Sequence, residues 1–161
     1  MKVFLTGERQ IGKSTIIQKV LKLIGPVELG GYFTRVSGSE ICMYPASDPD
    51  AQGFAVGKKG KIGYPEVFDG KGSELLEKSV SKELVILDEI GWMESDADNF
   101  SQTVIDLVSS DVDVLGVIRL GCSSKLCNAL REMQGVEILT VTEENREILP
   151  EMIAEKFRGT N

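Results

Sequence analysis

An α/β fold, with a mostly parallel sheet and helices on both faces, is predicted by three observations. Short apolar runs at 2–6, 84–87, 112–118 and 136–141 have the length and composition of buried strands. Segments with apolar residues at helical spacing stand between and after them, so strand and helix alternate in the later two-thirds of the chain. No linker or internal repeat interrupts the pattern, and 161 residues suffice for one core but not two ordinary ones. Residues 1–161 are therefore expected to form a single domain.

The elements follow in order. Lys2, Val3, Phe4, Leu5 and Thr6 make a first strand, and Ile16, Ile17, Val20, Leu21 and Ile24 recur at helical spacing until Gly25 and Pro26 stop them. Gly30 to Ser37 and Glu40 to Tyr44 read as an inserted β-hairpin around the turn Ser37, Gly38, Ser39. Residues 45–72 are rich in Gly, Pro, Asp and Lys, with apolar islands at Phe54 to Val56 and at Val67 and Phe68, and read as strands and loops. From Ser73 a short helix with Leu75, Leu76 and Val80 leads to the strand Leu84, Val85, Ile86, Leu87. A helix with Phe100, Val104, Ile105 and Val108 precedes a strand through Val112, Val114, Leu115, Val117 and Ile118. A helix with Leu126, Leu130 and Met133 then leads to a strand with Val136, Ile138, Leu139 and Val141. Ile148, Leu149, Met152, Ile153 and Phe157 form the last helix.

A formal net charge of −7 argues against a broad nucleic-acid or anionic-membrane surface, because such surfaces draw affinity from clustered Lys and Arg. A phosphate ligand would need a locally positive pocket. The absence of histidine removes His-based triads, most zinc sites and the usual pH switch. Cys42, Cys122 and Cys127 lack metal-knuckle spacing and are an odd number, so buried free thiols are expected. No apolar stretch approaches the roughly 20 residues of a membrane span, and the chain opens on a strand. A monomer of the reducing cytoplasm, with no nucleic-acid or membrane partner, is expected.

Residues 7 to 14 read Gly7, Glu8, Arg9, Gln10, Ile11, Gly12, Lys13, Ser14, the G-x-x-x-x-G-K-[ST] pattern of a phosphate-binding loop. The chemistry explains the residue types. A tight loop aims backbone N–H groups inward, Lys13 reaches the β and γ phosphates, and Ser14 places a hydroxyl on Mg²⁺. The preceding strand and following helix, with Thr15 in its first turn, are the context the motif requires. The strand Leu84 to Leu87 ends in Asp88 and Glu89, the form of a Walker B segment. In a parallel sheet ligands collect at the carboxyl ends of strands, so this pair should face the loop. Asp88 would support Mg²⁺ and Glu89 would polarise an attacking water.

Asp88, Glu89, Ile90, Gly91, Trp92, Met93 and Glu94, after the loop, resemble the D-E-I-G-x-M-E signature of the small P-loop nucleoside-triphosphatases called cancer-related NTPases, a family with thermophile members. Gly30, Gly31, Tyr32, Phe33, Thr34 resembles the family's G-G-[FY]-[FY]-T segment. Gly53 with Phe54 matches its G-F pair, and Asn145 with Arg146 its late N-R pair. The resemblance implies a RecA-like P-loop domain that hydrolyses ATP, GTP and other nucleoside triphosphates with Mg²⁺, slowly and with little choice of base. One departure concerns the loop. The family commonly reads G-x-P-G-x-G-K-T-T, whereas Arg9 and Gln10 here occupy the Pro and Gly places, and losing a central glycine restricts the backbone.

An arginine often meets the charge that develops in phosphoryl transfer. Arg35 on the hairpin, Arg119 at the end of a central strand and Arg146 before the last helix are candidates, each weighed against a solvated surface role. Arg119 has the best topological case. Asn145 and Arg146 would flank the base by hydrogen bonding and stacking, while Thr142 suits a helix cap. Trp92 beside Met93 reads first as packing, and Lys58, Lys59 and Lys61 as a solvated loop rather than a phosphate lid. The expected activity is Mg²⁺-dependent hydrolysis of nucleoside triphosphates. The loop, Thr15, Asn145 and Arg146 would bind nucleotide, Ser14 and Asp88 the metal, and Lys13, Glu89 and Arg119 would serve catalysis. A nucleotide or nucleoside kinase, and a nucleotide-dependent interaction module, are the alternatives.

Overall fold

The computed structural model describes residues 1–60 and 63–159. Lys61, one of the basic run noted above, lies outside them. The strands are β1 (Lys2–Thr6), β2 (Leu29–Ser37), β3 (Glu40–Pro45), β4 (Phe54–Lys58), β5 (Leu84–Ile90), β6 (Asp113–Ile118) and β7 (Val136–Thr140). They form one sheet in the order β4-β3-β2-β5-β6-β1-β7. From β2 to β7 the neighbours run parallel, and β3 and β4 extend the β2 edge in antiparallel fashion. This is the predicted mostly parallel sheet with an appended hairpin. Strand β6 stands between β1 and β5, so the phosphate-loop strand and the acidic strand are separated by one strand, the RecA-like order.

The helices are α1 (Lys13–Ile24), α2 (Pro65–Val67), α3 (Ser73–Glu77), α4 (Asp98–Ser109), α5 (Lys125–Glu132) and α6 (Leu149–Arg158). They cover both faces because the strands alternate their side chains between two cores. Val3, Leu5, Ile86, Leu115 and Val117 pack with Ile16, Ile17 and Val20 of α1 and Ile153 and Phe157 of α6. Phe4, Val85, Leu87, Val114 and Ile118 pack with Leu76, Phe100, Val104, Leu126 and Leu130 of α3, α4 and α5. Burying one such side chain contributes about 1.5–3 kcal/mol, and β1, β5 and β6 are almost wholly buried. No helix among the described residues is long and apolar enough to cross a membrane.

Three local readings change. The island at Val67 and Phe68 is helical: α2 runs through a π-type segment, Phe68–Gly72, into α3. Pro65 suits the first position of a helix, and the Phe68 ring packs edge-on against Phe100 with centroids 5.0 Å apart. Helix α3 stops at Glu77, leaving Val80 exposed, and the buried hydroxyl of Ser79 turns back to the Leu75 carbonyl at 2.8 Å. The last helix proper begins at Leu149, and Ile148 is exposed.

Gly31 fixes the junction between the parallel sheet and its extension. Its φ is +80°, and a Cβ there would lie 1.9 Å from the Ile86 carbonyl oxygen on β5. Its N–H is bonded to Ser79 Oγ at 2.8 Å and its carbonyl accepts from Ala46 N at 2.9 Å, so the backbone has no room to shift. Gly31→Ala should therefore destabilise the protein by about 3 kcal/mol, the upper end of overpacking costs. Urea denaturation checks this, and a loss under 1 kcal/mol, roughly the Gly/Ala background, would contradict it.

Candidate active site

Helix α1 begins directly after Gly12, whose φ is +113°, with no side-chain cap and no acidic residue in its first turn. Its N-terminal amides and dipole therefore face the loop unopposed, the arrangement that attracts an anion. Lys13 folds back over the loop, its Nζ donating to the Gly7 and Glu8 carbonyls at 2.7 Å each. Burial lowers the Lys13 pKa, and Glu89 and Asp88 oppose that shift. Gln10 has φ +61°, the left-handed conformation, at the place where the resembling family carries glycine.

Asp88 and Glu89 lie at the carboxyl end of β5, joined by a cis peptide. Ser14 Oγ donates to Asp88 Oδ2 at 3.2 Å, so the loop and the acidic strand meet across the end of β6. Asp88 is buried, and desolvation pushes its carboxyl up to about 6, against the Ser14 hydrogen bond and Lys13, with Glu89 adding to the rise. Glu89 is half-buried and lines a cleft of about 1060 Å³ together with residues of the loop, Arg119, Trp92 and Lys58. That cleft contains Arg9, Lys13, Lys58, Lys59 and Arg119 against Glu8, Glu89 and Glu94. It is the locally positive pocket that a chain of net charge −7 needs for a phosphate ligand.

The three arginine candidates separate. Arg119 lines the cleft, with its backbone N–H bonded to the Ile90 carbonyl at 2.8 Å. Arg35 lies on the hairpin with its guanidinium over the Tyr44 ring, 4.9 Å from the centroid. Arg146, which like Asn145 is not among the residues lining the cleft, donates from Nη1 to the Ile11 carbonyl of the loop at 3.4 Å. Asn145 is occupied within its own turn: Oδ1 accepts from Thr142 N at 2.8 Å, Nδ2 donates to Thr140 O at 2.9 Å, and its N–H reaches Thr142 Oγ1 at 3.3 Å. Thr142 thus acts as a cap, for the turn that leads into α6. Trp92 is 47% exposed and stands on the cleft wall rather than in the core.

Glu94 is the residue that sequence reasoning passed over. It is only 2% exposed, yet it lines the floor of the cleft, with Oε1 accepting the Gly91 N–H at 2.5 Å. Burial pushes its carboxyl up to about 7, opposed by backbone hydrogen bonds from Gly91 and from its own N–H. The turn it closes is held from other sides as well: Tyr32 Oη donates to the Glu89 carbonyl and Ser124 Oγ to the Gly91 carbonyl, both at 3.5 Å. A Cβ on Gly91 would lie 3.2 Å from both Cβ and Cδ of Arg119, so the bare α-carbon is the surface on which that side chain rests. The acidic signature carried the only hint of Glu94, because spacing alone does not reveal which carboxylate is buried.

A phosphate loop opening a helix, faced by an acidic strand end across one intervening parallel strand, defines a P-loop nucleotide-binding protein. Residues 47–154 match the NTPase family model. The nucleoside-triphosphatase THEP1 of Methanosarcina barkeri is 29% identical over 175 residues, covering 98% of each chain. A mouse protein named cancer-related nucleoside-triphosphatase homolog is 29% identical over 179 residues, covering 94% of each. The crystal structure of THEP1 from Aquifex aeolicus superposes with a TM-score of 0.82 over 98% of this chain and 99% of that one, at 22% identity. The chain belongs to this small P-loop NTPase family.

Two predictions follow from the geometry. Gln10→Gly should raise stability by about 0.5–1 kcal/mol by removing a left-handed non-glycine residue, read from urea denaturation without nucleotide; an unchanged or lower midpoint would argue against it. For Glu94, the folded carboxyl holds its proton up to about 7 whereas an ordinary glutamate carboxyl loses it near 4.5. The unfolded chain then binds fewer protons than the folded one between those values, so wild-type stability falls as pH rises through that window. Glu94→Gln lacks this dependence and retains the Gly91 acceptor, while Asp88 contributes its share to both proteins. The variant should gain on wild type between pH 5 and pH 8 by an amount on the order of 2–3 kcal/mol. Parallel denaturation curves across that range check the sign.

Proposed function

We propose that this protein is a Mg²⁺-dependent nucleoside-triphosphatase that converts ATP, GTP and other nucleoside triphosphates to diphosphate and phosphate, slowly and with broad base tolerance. The observation that carries the reading is the contact of Ser14 Oγ with Asp88 Oδ2, with Glu89 next along the strand on the cleft wall. A switch module needs the loop and a metal carboxylate, whereas an adjacent carboxylate facing the cleft adds a base for water. The relatives' names specify a nucleoside triphosphate and no particular base.

The residues present fit Mg²⁺. The donor set is a hydroxyl and a carboxylate, hard oxygen ligands with no thiolate or imidazole beside them. Among the described residues no group of three or more His, Cys, Asp or Glu is gathered to hold a metal, which suits an ion that takes its other ligands from phosphate and water. When bound, Mg²⁺ would offset the negative charge of the phosphates. Ser14 and Asp88 would hold it, Asp88 directly or through a water.

The loop amides from Gly7 to Thr15 hold the β and γ phosphates, and Lys13 exchanges its two carbonyl partners for phosphate oxygens. Glu89 accepts a proton from the attacking water, and Arg119 meets negative charge that builds on the terminal phosphoryl group. Asn145 and Arg146 flank the nucleoside end. Positioning and charge supply most of the acceleration, because phosphoryl transfer asks little covalent chemistry of the protein.

Phosphate release from ATP, GTP, CTP and UTP, with and without Mg²⁺, tests the activity. Glu89→Gln should lower turnover by about 10²–10⁴ while leaving nucleotide affinity nearly intact. Unchanged turnover in that variant would remove Glu89 from the role, and absence of release from every triphosphate would sink the reading. Transfer of the phosphoryl group to an added nucleoside or monophosphate would move the assignment to the kinase class.

A further inference from the structure

The cleft that holds the phosphate loop is also lined by the antiparallel extension of the sheet, through Lys58 at the end of β4 and Lys59 and Gly60 after it. The basic run reads as a solvated loop in sequence. The fold places two of its members in the cleft, and among the described residues neither ammonium has an ion-pair or hydrogen-bond partner to hold it away from a ligand.

The turn is anchored at both feet. Lys59 N–H donates to the Ser39 carbonyl at 3.0 Å, Tyr64 N–H to the Val56 carbonyl at 2.7 Å, and Gly57 pairs with Gly63 in an antiparallel bridge. Gly63 is pressed against the acidic signature: a Cβ there would lie 2.2 Å from the Met93 carbonyl oxygen. Gly63, which follows the lysines in the chain, is thus seated on the segment that continues from Asp88 and Glu89. The lysines approach the cleft from the β4 edge, while Asn145 and Arg146 follow β7 at the opposite edge of the sheet.

We propose that Lys58 and Lys59 form a clamp on the terminal phosphate of a bound nucleoside triphosphate, supplied from the antiparallel extension of the sheet. The inference rests on the hydrolase reading for the direction of the substrate, since a base at Glu89 requires the terminal phosphate beside it. Two ammonium groups there raise the local potential for a triphosphate above that for a diphosphate, and they meet equatorial oxygen charge during transfer, as an arginine supplied in cis does. The β2–β3–β4 extension then has a chemical purpose beyond widening the sheet.

The test compares wild type with the Lys58→Ala/Lys59→Ala double variant in calorimetric binding of a non-hydrolysable ATP analogue and of ADP, both with Mg²⁺, and in ATP turnover. The double variant should lose about tenfold or more in analogue affinity and in kcat/KM, the scale of one charge-assisted hydrogen bond, while ADP affinity changes less than about twofold on the same scale. The Lys58→Arg/Lys59→Arg variant should recover most of the loss, and Lys78→Ala/Lys82→Ala, which removes an equal charge outside the cleft, should behave as wild type. Equal losses for analogue and ADP, or no loss for either, would overturn the clamp. A wild type that binds the analogue but releases no phosphate would defeat the hydrolase reading alone, since the analogue-to-ADP ratio would still decide the clamp. Because both lysines are exposed, thermal unfolding of the variants should match wild type, and turnover losses are then read at the site.

Discussion

The hydrogen bond between Ser14 and Asp88 joins residues 74 positions apart, and the site is organised around it. It exists because β1, β6 and β5 run parallel in register, so that the loop leaving β1 and the carboxylates ending β5 emerge at the same edge. The middle strand is narrowed where both neighbours meet it. Gly116 is in register with Phe4 on one side and Leu87 on the other, and a Cβ there would lie 2.5 Å from the Phe4 ring and 3.1 Å from the Leu87 carbonyl. The Phe4 ring therefore lies over β6 and belongs to the core on that face. A larger residue at Gly116 would displace that ring or the strand, and either shift would be felt where the two strand ends face each other.

The antiparallel extension is coupled to the same edge by contacts of backbone on backbone. Gly31 lies against Ile86, and Gly63 against Met93, so β2 and the turn after β4 are both seated on the β5 strand or its continuation. Between them Tyr32, fully buried, donates to the Glu89 carbonyl, and burial keeps its phenol protonated well beyond the ordinary range. The consequence is a cleft with one wall from the parallel sheet and one from the hairpin region.

Much of this was legible in the sequence, for a physical reason. Strands β1, β5 and β6 are buried on both faces and so appear as unbroken apolar runs, and α1, α4 and α6 each bury one stripe at helical spacing. The loop motif and the Asp88 to Glu94 signature located the two halves of the cleft. What local patterning left open depends on contacts between distant segments. Val67 and Phe68 form two apolar positions that suit a strand equally well, and the choice of helix is made by Phe100 across the core. The placement of Lys58 and Lys59 follows from the approach of Gly63 to Met93, thirty residues further on. Arg35 and Arg119 look alike as strand-associated arginines, and only the sheet order sends one to Tyr44 and the other to the cleft.

The carboxylates show how burial sorts residues of one chemical type into different tasks. Asp88 sits inside the sheet edge, where desolvation favours its neutral form while the Ser14 hydroxyl and Lys13 ammonium favour the ionised one. A carboxylate balanced in that way responds strongly to added positive charge, as the metal-supporting role proposed above would require. Glu89, one residue on, keeps contact with the open cleft, the placement that the base role proposed above requires. Glu94 is enclosed completely, and its protonated form, favoured up to about 7, adds no negative charge to the floor of the cleft. Because burial disfavours a charge on Glu94, below about pH 7 the five basic side chains of the cleft face mainly Glu8 and Glu89 as negative charges at its lining. An acidic protein thereby presents a positive pocket to phosphate without any excess of basic residues in its sequence.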